Sequence, residues 1–367
     1  MGDLLDPVEL RHQLHSYPEL MFEEYRTTKL LVDNISLLDN IKIFKPLDTG
    51  LVVEYSVNNG GYLLFRADID ALPIIEETGV FFSSQNNCMH ACGHDIHTSV
   101  LYGLLRYAAA NKINKNILFL FQPGEEGGGG AERIINSGIL RNYNIEKAFA
   151  LHVTDEYEQG VIASSPGILF ASAFEVDIEF FGKSAHVAFP ENGKNAFEAL
   201  VRFLAKVKEL IKSEDEKIIF GYGKIDSGTV RNIVPAYAKI EATLRTLSRE
   251  KSGIFFEKII SLLKDIEKET GVKSKISKGS LYTEVVVDKP LYQQCRSILT
   301  KKFEFIDCGY KMTGEDFGFI SKIYPSFMFW LGTRKGEQFG LHNPRFLPDD
   351  SIIEKGIEIY KAILSEV

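Results

Sequence analysis

Long apolar runs are missing from this chain. No stretch approaches the roughly 18 residues that a bilayer-spanning helix needs. The start, Met1–Asp6, has no basic segment followed by an apolar one, which argues against a secretory leader. Asp6 also stands where an N-myristoylation motif needs Ser or Thr. Cysteine is scarce: Cys88, Cys92, Cys295 and Cys308 are the four, and none sits in a Cys-x-x-Cys pair. That excludes a disulfide framework and a zinc ribbon, and it points to a reducing, cytoplasmic location. Clusters of Lys and Arg are lacking too, and the net charge is −8. Nucleic acid and anionic membrane surfaces are therefore not expected as main partners. There is no internal repeat and no biased tract beyond Gly127–Gly130. No Lys-Ser/Thr follows those glycines, so they do not form a phosphate loop.

What is present is ordinary in amount: 367 residues, 45% apolar and 25% charged. The length suits two domains better than one core. Residues 7–34 read as an amphipathic helix broken at Pro18, with His12 and His15 at its surface or core edge. Gly50–Val57 and Gly61–Asp70 read as strands joined by an Asn-Asn-Gly-Gly turn. The second ends in Arg66, Asp68 and Asp70, which is either a strand delivering polar groups to a site or a salt-bridged strand end. Asp95 is expected to cap a helix running to about Ala110, with His97 turned away from Cys92 and His94. Strands follow at Ile117–Gln122 and Lys147–Val153, with a helix at Ala131–Ser137 between them. The pattern then changes to strand Ala173–Phe181, helix Gly193–Lys212, strands Lys217–Ile225 and Tyr237–Thr246, helix Glu250–Thr270 and strand Val272–Tyr282. This β-α-β-β-α-β order predicts a ferredoxin-like module. Helix Leu291–Lys302, strand Ser326–Leu331 and helix Ser351–Glu366 return to α/β character. The expected architecture is a mixed-sheet α/β domain built from residues 1–170 and 284–367, with the module, residues 171–283, inserted between them.

The chemistry concentrates in Cys88-Met-His-Ala-Cys-Gly-His-Asp-Ile-His-Thr98. Cys92 and His94, two apart on the lead-in to a helix, can face one ion; Glu126, His152 and His342 arrive from later segments. Five ligands exceed one tetrahedral shell, so two ions sharing a ligand fit the count better. Of the adjacent Glu125 and Glu126, one can bind metal while the other serves as general base. A thiolate ligand favours Zn²⁺ without excluding Mn²⁺, Co²⁺ or Ni²⁺. Cys88 and His90 read as structural. A Cys92–His94 nucleophilic pair is the competing enzyme class, but neighbouring segments rarely give that geometry and it would leave the Glu pair idle. A metal-binding receptor is the non-enzymatic alternative, and it would have no use for a spare carboxylate.

These residues resemble the M20 metallopeptidase/amidohydrolase family, in its aminoacylase-like branch, along nearly the whole chain. The likeness rests on His15-Ser-Tyr-Pro-Glu19, Arg66-Ala-Asp-Ile-Asp-Ala-Leu-Pro73, His90-Ala-Cys-Gly-His-Asp95, Gln122-Pro-Gly-Glu-Glu126 and Leu341-His-Asn-Pro344. It implies that Cys92, His94, Glu126, His152 and His342 hold two divalent ions per subunit, that Glu125 is the proton shuttle, and that Asp68 is a second catalytic acid supporting the metal centre. The inserted module would pair two chains as a homodimer. In it, His186 of Gly182-Lys-Ser-Ala-His186 would reach the substrate carbonyl across the dimer, and Asn232 and Arg245 would hold a small N-acyl amino acid. Within the branch, Ile225-Asp-Ser-Gly-Thr-Val230, Arg245-Thr-Leu-Ser248 and Met312-Thr-Gly-Glu-Asp-Phe-Gly318 resemble the N-acetyldiaminopimelate deacetylases of lysine synthesis. A general N-acyl-amino-acid amidohydrolase is the alternative with the same chemistry. One departure is Gly124, where the branch usually has Ala; it is expected to loosen the backbone before Glu125.

Overall fold

A computed structural model describes residues 4–367; the first three residues of the N-terminal stretch read above lie outside the described residues. The strands in chain order are Ile41–Phe44 (β1), Leu51–Tyr55 (β2), Tyr62–Asp68 (β3), Asn116–Gln122 (β4), Ile145–Glu158 (β5), Ile162–Ser164 (β6), Gly167–Phe170 (β7), Ser172–Phe181 (β8), Ile219–Ser227 (β9), Tyr237–Thr246 (β10), Lys273–Tyr282 (β11), Val285–Val287 (β12), Phe305–Asp307 (β13) and Ser326–Arg334 (β14). The helices are Pro7–Ser16 (α1), Tyr25–Ile35 (α2), His94–Asn111 (α3), Gly130–Asn136 (α4), Ala196–Lys212 (α5), Arg249–Thr270 (α6), Lys289–Leu299 (α7), Gly318–Ser321 (α8) and Ser351–Glu366 (α9). They fall into two compact units. One comprises Met1–Leu169, Val285–Tyr310 and Asp316–Val367; the other comprises Phe170–Glu284 and Lys311–Glu315.

The first unit is a mixed eight-stranded sheet in the order β1-β2-β4-β3-β5-β14-β6-β13. Its centre is parallel: β3 runs alongside β4 and β5, and β14 alongside β5. Strands β2 and β4 are buried at every residue and β3 at all but its first. Such unbroken apolar runs, here Leu-Val-Val and Ile-Leu-Phe-Leu-Phe, suit a sheet covered on both faces. That property bears on how the two strands expected on either side of the Asn-Asn-Gly-Gly turn are placed. The turn at 58–61 is there, but β2 and β3 do not pair; β4 lies between them, antiparallel to β2 and parallel to β3. Two fully buried strands gain more from a central neighbour than from a local partner.

The first helix starts as its sequence dictates. Asp6 accepts from the amides of Val8 and Glu9 while Glu9 reaches back to the Asp6 amide, with Pro7 in the first turn. The start of α3 differs from expectation. Gly93, at φ +80°, stands at the cap, and Asp95 lies inside the first turn. Its carboxylate is buried against Arg11 Nε (3.0 Å) and His15 Nδ1 (2.9 Å). A buried guanidinium needs a carboxylate more than a helix end needs a cap.

The second unit is the β-α-β-β-α-β module. Its antiparallel sheet has the order β11-β8-β10-β9, and α5 and α6 cover one face. Along β8, Phe174, Val176, Ile178 and Phe180 are buried; along β10, Ala238, Ile240, Ala242 and Leu244 are. This is the period-two pattern of a one-sided core. Phe203 and Val207 of α5 and Phe255, Ile259 and Leu263 of α6 close that core. The opposite face carries charged neighbours such as Asp177, Lys239 and Glu241. Strand β9 lies at the sheet edge and is exposed from Tyr222 onward.

Candidate functional site

The carboxyl end of β3 presents Asp68, fully buried, as the hub of a hydrogen-bonded group. Arg66 Nη1 donates to one of its oxygens at 2.9 Å. The backbone N–H of Val153 donates to His97 Nε2 at 2.9 Å, so the His97 proton sits on Nδ1, which donates to the other oxygen at 2.6 Å. Burial works to raise the Asp68 pKa, but His94, Arg66 and His97 outweigh it and hold the carboxyl well below the usual range. Arg66 is itself braced, at 2.8 Å each, by Gln122 Oε1 and Asp316 Oδ1.

His97 thus corrects the expectation that it points away. The first turn of α3 is buried all round, so both of its sides meet site residues; the His97 ring centroid lies 4.6 Å from that of His152 and 5.4 Å from that of His94. The spacing His94-x-x-His97, three residues on a helix, was the signal available for it. His15 also differs from a surface or core-edge residue: it is buried, with a carboxylate at each ring nitrogen. His12 does lie near the surface, paired with Asp350 at 2.9 Å. His90 is buried, and burial pushes its pKa down to about 3, so it is neutral.

His94 links Asp68 to the rest of the five expected ligands. The carbonyl oxygen of Asp70 lies 2.9 Å from His94 Nδ1, which must donate to it. His94 Nε2 is therefore turned inward, buried, without a hydrogen bond, and 3.5 Å from Asp68 Oδ2. Cys92 Sγ is 3.5 Å from His152 Nε2, and His342 Nε2 is 3.2 Å from Glu126 Oε1. Ligand atoms of Cys92, His94 and His152 lie within 4.8 Å of one another, and so do those of Cys92, Glu126 and His342. Glu125, buried, forms a third such group with His94 and Glu126. His152 sits inside β5 rather than near its end, because that strand continues to Glu158. His342 is the exposed member of the set and has a left-handed backbone, φ +63°; its N–H donates to the Ala91 carbonyl at 2.9 Å, tying its loop to the Cys92 segment.

The electrostatics suit cations. Burial, then Glu126, Glu125 and Asp68, push the Cys92 thiol well above its usual range. His94 is pulled up to about 10 despite its burial by Asp68, Asp70 and Glu126. A buried thiol and three carboxylates around an inward-facing imidazole nitrogen form a negative pocket that divalent ions would neutralise. The donor set, one sulfur with imidazoles and a carboxylate, fits Zn²⁺-type ions, and Cys92 is common to two three-residue groups.

The three remaining candidates belong to the second unit. His186 and Asn232 are both exposed; a short antiparallel bridge pairs His186 with Ile233, and the Val187 N–H donates to the Asn232 carbonyl at 3.0 Å. The Ala188 N–H donates to His186 Nδ1 at 3.1 Å, which leaves Nε2 to carry the proton of a neutral ring. Arg245 lies on β10, paired with Ala173 and Ile219, and donates to the Met312 carbonyl at 3.0 Å.

Comparison with known proteins places the chain among relatives along nearly its whole length. Over 352 residues the chain is 36% identical to the N-acetyldiaminopimelate deacetylase of Exiguobacterium sibiricum, covering 94% of this chain and 95% of the relative. It is also 36% identical over 360 residues to the enzyme of the same name from Priestia megaterium, covering 96% of each. Among solved structures, a provisionally named aminohydrolase of methicillin-resistant Staphylococcus aureus superposes with a TM-score of 0.87 at 26% identity, covering 98% of this chain and 96% of that one. A Bacillus subtilis protein, a dinuclear metal-binding peptidase of the M20 family, gives 0.80 at 25% identity over 98% of both chains. Residues 64–366 match the family described as Peptidase family M20/M25/M40, and with the cysteine, histidine and glutamate cluster of the first unit inside that span, the chain belongs to this family.

Proposed function

We propose that this chain hydrolyses N-acetyl-LL-2,6-diaminopimelate to LL-2,6-diaminopimelate and acetate, a step of lysine synthesis, in the cytoplasm. Near-full-length likeness to two deacetylases of that substrate carries the reading. The ligand groups support a divalent metal requirement of two ions per subunit, Zn²⁺ foremost and Mn²⁺, Co²⁺ or Ni²⁺ as substitutes. Cys92, His94, Glu126, His152 and His342 would hold them. When bound, the ions would supply Lewis acidity toward the amide carbonyl and toward water.

The chain's own residues do the rest. Glu125 takes a proton from the attacking water and returns it to the leaving amine, the two halves of general base and general acid work. Asp68, fixed by Arg66 and His97, holds its charge beside His94 and keeps that ring oriented. The His186 Nε2–H donates to the carbonyl oxygen as negative charge develops on it. Arg245 pairs with a substrate carboxylate as a guanidinium fork, and Asn232 hydrogen-bonds the substrate. The inserted module joins two chains. The free edge of β9, with Tyr222 and Ile225 exposed, and the outward Phe197 and Val201 of α5 support a second copy of the chain as its partner.

The test is acetate release after chelation and metal return. Metal-restored turnover on acetyl-diaminopimelate well above that on acetyl-methionine is expected. Preference for acetyl-methionine or hippurate would instead assign a general N-acyl-amino-acid amidohydrolase.

A further inference from the structure

The turn that carries Glu125 is held from behind by a segment that contributes nothing to the metal centre. Glu24 is fully buried. One of its carboxyl oxygens accepts the Gly124 N–H at 2.8 Å, and the other accepts the Thr49 hydroxyl at 2.6 Å. On the far side of Glu125, the Glu126 N–H donates to Asp70 Oδ2 at 2.8 Å. The Glu125–Glu126 peptide and the Pro123–Gly124 peptide one residue upstream are therefore each held by a buried carboxyl, which limits the freedom of the turn at Glu125.

Phe22 adds shape to this clamp. It has φ +60°, unusual for an aromatic residue. Its ring fills the space over Gly124 and Gly128: a Cβ on either glycine would meet a ring carbon at 2.5 Å. The Arg133 guanidinium lies 3.9 Å from the centre of the ring. Gly124 itself has φ +65°, and its carbonyl accepts the Gly130 N–H at 3.0 Å. Gly124 thus sits in a tight, occupied turn, which reverses the expectation that it loosens the backbone before Glu125.

We propose that Glu24 is a positioning residue for the reaction: through the Gly124 amide, with the Phe22 ring as backstop, it sets where the Glu125 carboxylate stands. The inference rests on Glu125 being the proton shuttle. A shuttle must stand within hydrogen-bond reach of both the water and the leaving nitrogen, and a displacement of about 1 Å can cost ~10²-fold in rate. Neither partner of the Glu24 carboxyl, the Gly124 amide or the Thr49 hydroxyl, is a cation. Burial pushes its carboxyl up to about 7, against the hydrogen bond from Thr49 and with the charge of Asp70. A glutamine there keeps one oxygen to accept from Gly124 and turns an amide N–H toward the Thr49 hydroxyl oxygen, whose own proton can rotate away.

That property gives the test. E24A is expected to lower kcat by ~10- to ~100-fold with little change in KM and with full metal content by atomic absorption, while E24Q keeps kcat close to wild type. In an E125A background, E24A is expected to cost nothing further. Should E24A fail to fold, E24D, one methylene short of Gly124, is expected to show the same loss in kcat. Wild-type kcat in E24A or E24D overturns the proposal, and so does a loss that persists undiminished alongside E125A. A large loss in E125A with none in E24A removes the positioning role alone, whereas near-normal turnover in E125A removes the shuttle and this inference with it.

Discussion

His15 is held as a cation by its neighbours rather than by solvent. Burial opposes the charge, but Asp95 and Glu76, hydrogen-bonded at its two nitrogens, raise its pKa to about 9. A group whose folded pKa lies above its unfolded value gives stability that is complete below about pH 6.5 and is lost as the pH rises through about 9. That shift corresponds to roughly 3 kcal/mol. H15Q is therefore expected to be less stable than wild type in urea near neutral pH, with the gap closing toward about pH 10. A gap independent of pH would refute the charged pair. Glu125 and His186 lend themselves to kinetic tests. E125A is expected to keep its metal and lose ~10²-fold or more in turnover. H186A is expected to lower kcat far more than it raises KM; an effect confined to KM would assign His186 to substrate binding alone. At this scale the sequence was most readable where a short motif carries residue types that the fold gathers in one place, as with Cys92, His94 and Glu126. It was least readable where one polar group serves another, as with His97 under Asp68 and His15 under Asp95. Those partnerships join residues 29 and 80 positions apart, and no local pattern encodes them.

Elements were legible in kind and less so in arrangement. The alternating residues of β8 and β10 and the amphipathic α5 and α6 gave the second unit its order, since each of them buries one face. The fully apolar strands of the first unit carry no such phase, and that is why the insertion of β4 between β2 and β3 could not be read locally. The turn before Glu125 offers a test at this level. Gly124 and Gly79 both have left-handed backbones, φ +65° and +72°, but a Cβ at Gly79 meets nothing within 4 Å. G79A is expected to cost about 1 kcal/mol for its dihedral alone. G124A is expected to cost clearly more, with F22A restoring part of the difference in a double-mutant cycle. Equal costs at the two positions would mean that the Phe22 ring yields freely.

At the scale of the whole molecule, the proposed pairing of chains makes a prediction about assembly. V201E combined with I225K places charge on the outward side of α5 and on the β9 edge, where Lys blocks strand addition. The variant is expected to sediment as a folded monomer and, because His186 would act on the partner's substrate, to lose turnover. A dimer that survives both changes would put the interface elsewhere.

The place of β14 has a consequence for biosynthesis. This strand lies between β5 and β6 inside the first unit's sheet, yet it is Ser326–Arg334, and the candidate ligand His342 follows it. As the chain leaves the ribosome, β5 can pair with β3 at once, but its other edge must wait for β14 while the whole β8–β11 module is made. That module brings its own core and can collapse during the wait. Release of a stalled or truncated chain before residue 334 would leave one edge of the apolar strand β5 open, so the nascent protein is most exposed to aggregation, and most in need of a chaperone, during the interval in which its second unit is already finished.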